Sequence, residues 1–305
     1  MMMKRNKRWI TLLICIVTIT SLLTTACSSS SATEGTTGGE ITIGSKNFTE
    51  NIILAYLMAD MIENRTGIKV NRKVNLGGSS VAWTALQNNN IQLYPEYTGT
   101  IVANYYQQET TNSKETLASA KRLMKKDDLQ FIAPFGFSNT YSLAVNQETA
   151  QKYNLKTFSD LAKVSPNLEL ASEFEFTDRA DTYPGLKKKY NMIFKDVRGM
   201  DQGIKYRLIG QHDTDVVSVY STDGQIKLNN LFVLKDDKHF FPPYDAGVAV
   251  RSETLKKYPA IKEALDALQG QINEQEMQIM NAKVDQGYRE DDVAHEFLIS
   301  KGLIK

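Results

Sequence analysis

Cysteine is nearly missing from this sequence. It has two, Cys15 and Cys27, both within the first 27 of 305 residues. No disulfide can form beyond Cys27, so a fold there must rest on core burial, which about 279 residues can supply. Thiol catalysis is excluded over the same stretch. Histidine is scarce: His212, His239 and His295 stand far apart and show no metal-ligand spacing, so no metal is expected. Net charge is almost absent, at +1, and nucleic-acid partners, which need a basic face, are not expected. Nucleotide signatures are missing too. Gly77-Gly78-Ser79-Ser80 could cradle an anion before a helix. It lacks the Lys-Ser/Thr of a phosphate loop and the spacing of a dinucleotide fingerprint, and reads as a turn and helix cap. Asp213, Asp215 and Asp223 hint at acid–base pairs, but Asp223 sits in a Ser-Thr-Asp-Gly turn, where Asp is expected for backbone reasons. No cofactor and no enzymatic activity are expected.

What is present begins with a processing segment. Lys4, Arg5, Lys7 and Arg8 precede an uncharged run from Trp9 to Ala26, then Cys27 and a Ser-rich stretch. The run is also long enough for a transmembrane anchor. The small Ala26 and the loose stretch after Cys27 favour a lipoprotein signal over residues 1–26, a lipid anchor at Cys27 and a tether over 27–40. Leu22-Leu23-Thr24-Thr25-Ala26-Cys27 resembles the bacterial lipobox, with Thr24 where Leu is usual. The expected location is the extracytoplasmic face of the cell membrane. Loss of the four cations, with no acid among the same residues, takes the net charge from +1 to about −3.

The remainder alternates between strand and helix patterns. Ile41–Gly44, Ile68–Leu76 and Ile91–Tyr94 read as strands. Between them, Phe48 to Gly67 and Ser79 to Leu86 carry helical periodicity. This order implies a parallel sheet covered by helices. Phe131–Pro134, Tyr141–Val145, Leu168–Ala171, Asp215–Tyr220, Leu231–Leu234 and Val248–Val250 are further strands, and Thr254–Leu298 is helical with breaks near Gly270 and Gly287. The expected architecture is α/β with two lobes, 41–139 plus 244–305 and 140–243. Two crossovers, near Asn139–Tyr141 and Pro242–Tyr244, join them as hinges.

Four tyrosines sit in turn-like contexts: Tyr97, Tyr141, Tyr220 and Tyr244. At least three are expected just outside the carboxyl ends of strands, where α/β sheets collect ligands. Tyrosine rings attract a quaternary ammonium, a cation with no hydrogen-bond donor, by roughly 0.5–2 kcal/mol per contact. Yet the chain has 14 tyrosines, and one beside a turn is ordinarily half-buried packing.

Five stretches change that balance: Ile43-Gly44-Ser45-Lys46-Asn47-Phe48-Thr49-Glu50, Glu96-Tyr97-Thr98-Gly99-Thr100, Gly136-Phe137-Ser138-Asn139-Thr140-Tyr141, Tyr220-Ser221-Thr222-Asp223-Gly224 and Phe240-Phe241-Pro242-Pro243-Tyr244-Asp245. In this order they resemble the substrate-binding proteins of osmoprotectant ABC importers, those for glycine betaine, carnitine and choline. The resemblance implies a type II periplasmic-binding-protein clamshell. It implies a cage of Tyr97, Tyr141, Tyr220 and Tyr244 around a trimethylammonium group, with Lys46, Thr100 and Arg179 on a carboxylate. Asp178 and Asp181 are alternative partners for Arg179, and a solvated surface position is the alternative for both Lys46 and Arg179. Some choline- and carnitine-binding members carry Gln at the Lys46 position, so a lysine there argues for a zwitterion. The implied partners are the quaternary-ammonium ligand, an ABC permease with a cytoplasmic ATPase, and the membrane through the lipid anchor. The protein is expected to act as a monomer, or else as a ligand-sensing or structural surface lipoprotein of the same fold.

Overall fold

The computed structural model describes residues 38–305. The signal over 1–26, the anchor at Cys27 and most of the 27–40 tether lie outside the described residues. The first sheet opens with β1 (Glu40–Gly44), followed by helix α1 (Thr49–Thr66), β2 (Lys69–Lys73), α2 (Ser79–Gln87) and β3 (Leu93–Tyr97). A π-helical turn (Thr100–Tyr105), α3 (Ser113–Met124) and β4 (Leu129–Ile132) complete this half. Helix α1 buries Ile53, Leu54, Leu57, Met58, Met61 and Ile62. It stops at Gly67, whose φ of +69° lets its N–H reach Glu63 O, a left-handed cap that only glycine adopts freely. Strand β2 is shorter than Ile68–Leu76 because the chain turns away at Asn75 (φ +59°), whose N–H donates to Ser45 Oγ at 2.7 Å.

The second sheet is drawn from β5 (Tyr141–Asn146), α4 (Gln147–Tyr153), α5 (Phe158–Val164), β6 (Glu169–Glu173), α6 (Phe174–Asp178), α7 (Tyr183–Tyr190), β7 (Asp196–Met200), α8 (Gln202–Gly210), β8 (Val216–Tyr220), α9 (Gln225–Leu228) and β9 (Leu231–Val233). The chain then returns to the first sheet through β10 (Ala246–Arg251), followed by α10 (Ser252–Lys257), α11 (Pro259–Asp266), α12 (Glu274–Asp285) and α13 (Glu290–Ser300). Helices α11, α12 and α13 pack on α1. Among the described residues no helix is long and apolar enough to cross a membrane.

The strand orders are β2-β1-β3-β10-β4 and β7-β6-β8-β5-β9. Neither sheet is wholly parallel. Strand β10 is antiparallel to both β3 and β4, and β5 is antiparallel to both β8 and β9. In each sheet four strands run one way, and the strand entered directly from a crossover runs the other way. The expectation of a parallel sheet holds for β1, β2 and β3 and fails at the reversed strand. The two crossovers lie side by side: Asn139 N–H donates to Tyr244 O at 3.0 Å and Ala246 N–H to Phe137 O at 3.1 Å.

Candidate ligand-binding site

Two of the four tyrosines, not three, stand at carboxyl ends of strands: Tyr97 closes β3 and Tyr220 closes β8. Tyr141 opens β5, and Tyr244 lies two residues before β10. Because β5 and β10 are the reversed strands, their amino ends share an edge with the carboxyl ends of their neighbours. The register sets Tyr141 directly opposite Tyr220, and Ala246, just after Tyr244, opposite Tyr97. Strand reversal thus brings all four to the seam between the sheets.

The rings converge there. The Tyr141 centroid is 4.8 Å from that of Tyr220 and 5.7 Å from that of Tyr244. Phe48 joins the group, 5.4 Å from Tyr220 and 6.2 Å from Tyr97, with interplanar angles of 20° and 28°. The space they enclose is about 20 Å³, and Asn139 and Glu175 complete its wall with Lys46, Thr100 and Arg179. Burial pushes the phenols of Tyr97, Tyr141, Tyr220 and Tyr244 well above their ordinary value. They are therefore neutral at any physiological pH and present faces rather than charges.

The two cations are buried at the same place, and both are paired. Lys46 follows β1 and is 2 % exposed, which removes the surface reading. Its Nζ donates to Glu96 Oε1 at 2.6 Å and stands 5.2 Å from the Tyr97 centroid. Arg179 ends α6. Its Nε and Nη2 grip Asp181 at 2.9 and 2.6 Å, a bidentate pair of the strong type. Nη1 reaches Ser79 Oγ at 3.3 Å, and Nη2 is 3.5 Å from Thr100 Oγ1. Asp181, not Asp178, is therefore the acid that takes Arg179, and it also accepts the Tyr244 hydroxyl at 2.8 Å. Burial opposes the guanidinium charge, but Tyr141, Asp181 and Glu175 together outweigh it and hold the Arg179 pKa above its usual value.

The cap expected from Ser79 or Ser80 is not formed. Gly78 occupies the N-cap of α2 and has no side chain with which to cap it. The Ser79 N–H is taken instead by Glu175 Oε2 at 3.0 Å, a carboxylate from α6 in the second half of the chain, as the helix N-terminus favours.

Phe48, Glu50, Asn139 and Glu175 were not singled out as site residues by sequence reasoning. In the sequence Phe48 is the start of a helical period and part of the stretch from Ile43 to Glu50. Glu50, in the first turn of α1, is buried at 2 % exposure. It accepts Tyr97 Oη at 2.6 Å, Asn139 Nδ2 at 2.8 Å, Thr222 Oγ1 at 2.5 Å and Asn281 Nδ2 at 3.3 Å. One carboxylate so ties the first sheet, a crossover, the loop after β8 and helix α12. Burial raises its pKa, and the four hydrogen bonds oppose that rise. Its position in the stretch from Ile43 to Glu50 was the available signal.

Comparison with known proteins gives the family. The model for the substrate binding domain of ABC-type glycine betaine transport systems matches residues 39–300. The chain is 36% identical over 298 residues to the carnitine transport binding protein OpuCC of Listeria monocytogenes serotype 1/2a (strain 10403S), covering 96% of each. It is 37% identical over 265 residues to the ergothioneine transport permease/ergothioneine binding protein EgtU of Helicobacter pylori (strain G27), covering 86% of this chain and 48%, about half, of that longer protein. A crystal structure described as a glycine betaine/carnitine/choline ABC transporter superposes with a TM-score of 0.70 at 35% identity, over 87% of this chain and 100% of the other. The two-sheet architecture is that of the type II periplasmic binding proteins. With a family match across nearly every described residue and relatives above 30% identity over most of its length, the chain belongs to the substrate-binding domains of ABC-type glycine betaine transport systems.

Proposed function

We propose that this protein is the extracytoplasmic capture component of an ABC importer for a small quaternary-ammonium solute of the betaine, carnitine or choline type. The observation that carries this reading is the convergence of Phe48, Tyr97, Tyr141, Tyr220 and Tyr244 on one buried space at the seam of the two sheets. A trimethylammonium head offers no donor, so neutral ring faces are the chemistry that holds it. At a spacing of 4.8 Å, Tyr141 and Tyr220 leave no room for a cation between them. The rings part to admit it as lobes 41–139 plus 244–305 and 140–243 swing about the paired crossovers, and contacts from both sides favour reclosure. Lys46, Thr100 and Arg179 line the same space and are the side chains toward which the polar end of a ligand would turn.

The closed form docks on a permease whose cytoplasmic ATPase supplies the energy. The protein works as a monomer, held to the membrane by a lipid on Cys27, and performs no chemistry on its cargo. Titration calorimetry with glycine betaine, carnitine and choline, against an amino-acid control, tests the reading. Heat from at least one quaternary amine and none from the control is expected. Silence from all three quaternary amines would sink it.

A further inference from the structure

Three positively polarised groups border the ring cluster: Lys46, Arg179 and the N-terminus of α2. These are the groups to which a ligand carboxylate would turn, and all three already act on a carboxylate of the protein itself. Glu175 lines the enclosed space beside the tyrosines. Its Oε2 takes the Ser79 N–H at 3.0 Å, and its Oε1 lies 3.8 Å from Arg179 Nη1. Burial would raise its pKa, yet Arg179, Lys46 and Ser79 together hold it below the ordinary glutamate value. Lys46 and Arg179 each have a further partner, in Glu96 and Asp181. Glu175 is in the wall of the space, and Glu96 and Asp181 pair the two cations, so three carboxylates accompany Lys46 and Arg179 and leave no positive charge in surplus.

We propose that Glu175 is a resident carboxylate occupying the anion position of the site, and that it selects for quaternary ammonium solutes without a carboxylate, such as choline, over zwitterions such as glycine betaine. This rests on the quaternary-ammonium reading above. A choline-type cation leaves Glu175 where it is and gains from its negative charge. The carboxylate of a betaine must displace Glu175 from Ser79 or settle beside it against like charge, which is selection by a repulsive element.

Calorimetry on the full chain and on Glu175→Gln, with choline and glycine betaine as the two probes, reads this directly. The amide keeps the size and removes the charge. The ratio of the betaine Kd to the choline Kd is expected to fall by about tenfold, the scale of one screened charge contact at a partly exposed site. A fall smaller than about threefold, or a rise, overturns the proposal. Glu175 is partly exposed at the seam, and the thermal transition of the free variant shows whether it is folded. Should the amide variant lose its fold, Glu175→Asp carries the same expectation for betaine, since it draws the carboxylate back from Ser79 by one methylene. Silence from both probes and from carnitine on the unmodified protein would count against the quaternary-ammonium reading itself, a result distinct from an unchanged ratio.

Discussion

Tyr141 has Tyr220 on one side, Tyr244 on the other and the Arg179 guanidinium 5.7 Å above its face. Tyr141→Ala should weaken binding of the favoured quaternary amine by about 1–3 kcal/mol, the value of a ring contact plus lost packing. Tyr220→Phe keeps the ring and deletes only a hydroxyl 3.3 Å from that of Tyr141, so calorimetry should find its affinity within about threefold of the parent. Near-native affinity in Tyr141→Ala would remove the cage. A second expectation concerns Asp223. Burial lifts its pKa from 3.8 to about 6, against Lys205 and the Tyr206 hydroxyl. The folded protein holds this proton more tightly than the unfolded chain. The associated stability is therefore full below about pH 4 and is lost as pH rises through about 6, a loss on the order of 2–3 kcal/mol. Urea unfolding at pH 4 and pH 7 should show Asp223→Asn gaining by that amount on the parent between the two; a constant difference would contradict it. At this scale the tyrosines were legible because each stands in a distinctive short motif. The pairing of Lys46 with Glu96 was not, because the partners are 50 residues apart and only the sheet brings them together.

Elements explain where local reading stopped. The sequence pattern places strand β3 at Ile91–Tyr94. The strand instead runs on through Pro95 to Tyr97. Pairing with β1 involves Leu93 alone, so Pro95 has no ladder partner to disappoint on that side, and its carbonyl is met by the Asn51 side chain at 2.9 Å. Strand β7 was missed altogether. Its sequence, Asp-Val-Arg-Gly-Met, is an edge strand whose residues are all intermediate or exposed and show no alternation. The π-helical turn at Thr100–Tyr105 was also unseen, although such turns cluster at functional sites. Its first residue is one of the carboxylate candidates. Gly99, just before it, has ordinary helical angles, yet a Cβ there would lie 2.7 Å from Pro243 O and 2.7 Å from Tyr244 Cδ1. Gly99→Ala is thus a steric rather than a conformational change. It should cost about 1–3 kcal/mol in chemical denaturation and displace Tyr244; an unchanged midpoint would show that the second crossover yields freely.

For the whole molecule, the two-lobed plan was legible because strands and helices alternate in separate blocks on either side of Asn139–Tyr141 and Pro242–Tyr244. The reversed strands were not, since nothing local distinguishes a strand that has just crossed from one that has not. Glu50 is one point where the halves are joined directly, through Thr222 after β8. Thr222→Val removes that donor and leaves a buried acceptor, costing about 1–3 kcal/mol, and the cost falls on the closed form alone. The ligand-free variant should therefore show a larger radius of gyration in small-angle scattering and bind roughly tenfold more weakly. A parent-like scattering curve with parent-like affinity would mean that closure does not depend on this bond. Strand order has a further consequence, for assembly during synthesis. The second sheet is built from one uninterrupted stretch, Tyr141 to Val233. In the first sheet, β4 touches only β10, which is made more than a hundred residues later. A chain emerging from the ribosome can therefore complete its second sheet first. Leu129–Ile132 must wait with its edges unpaired until Ala246–Arg251 arrives to fasten it.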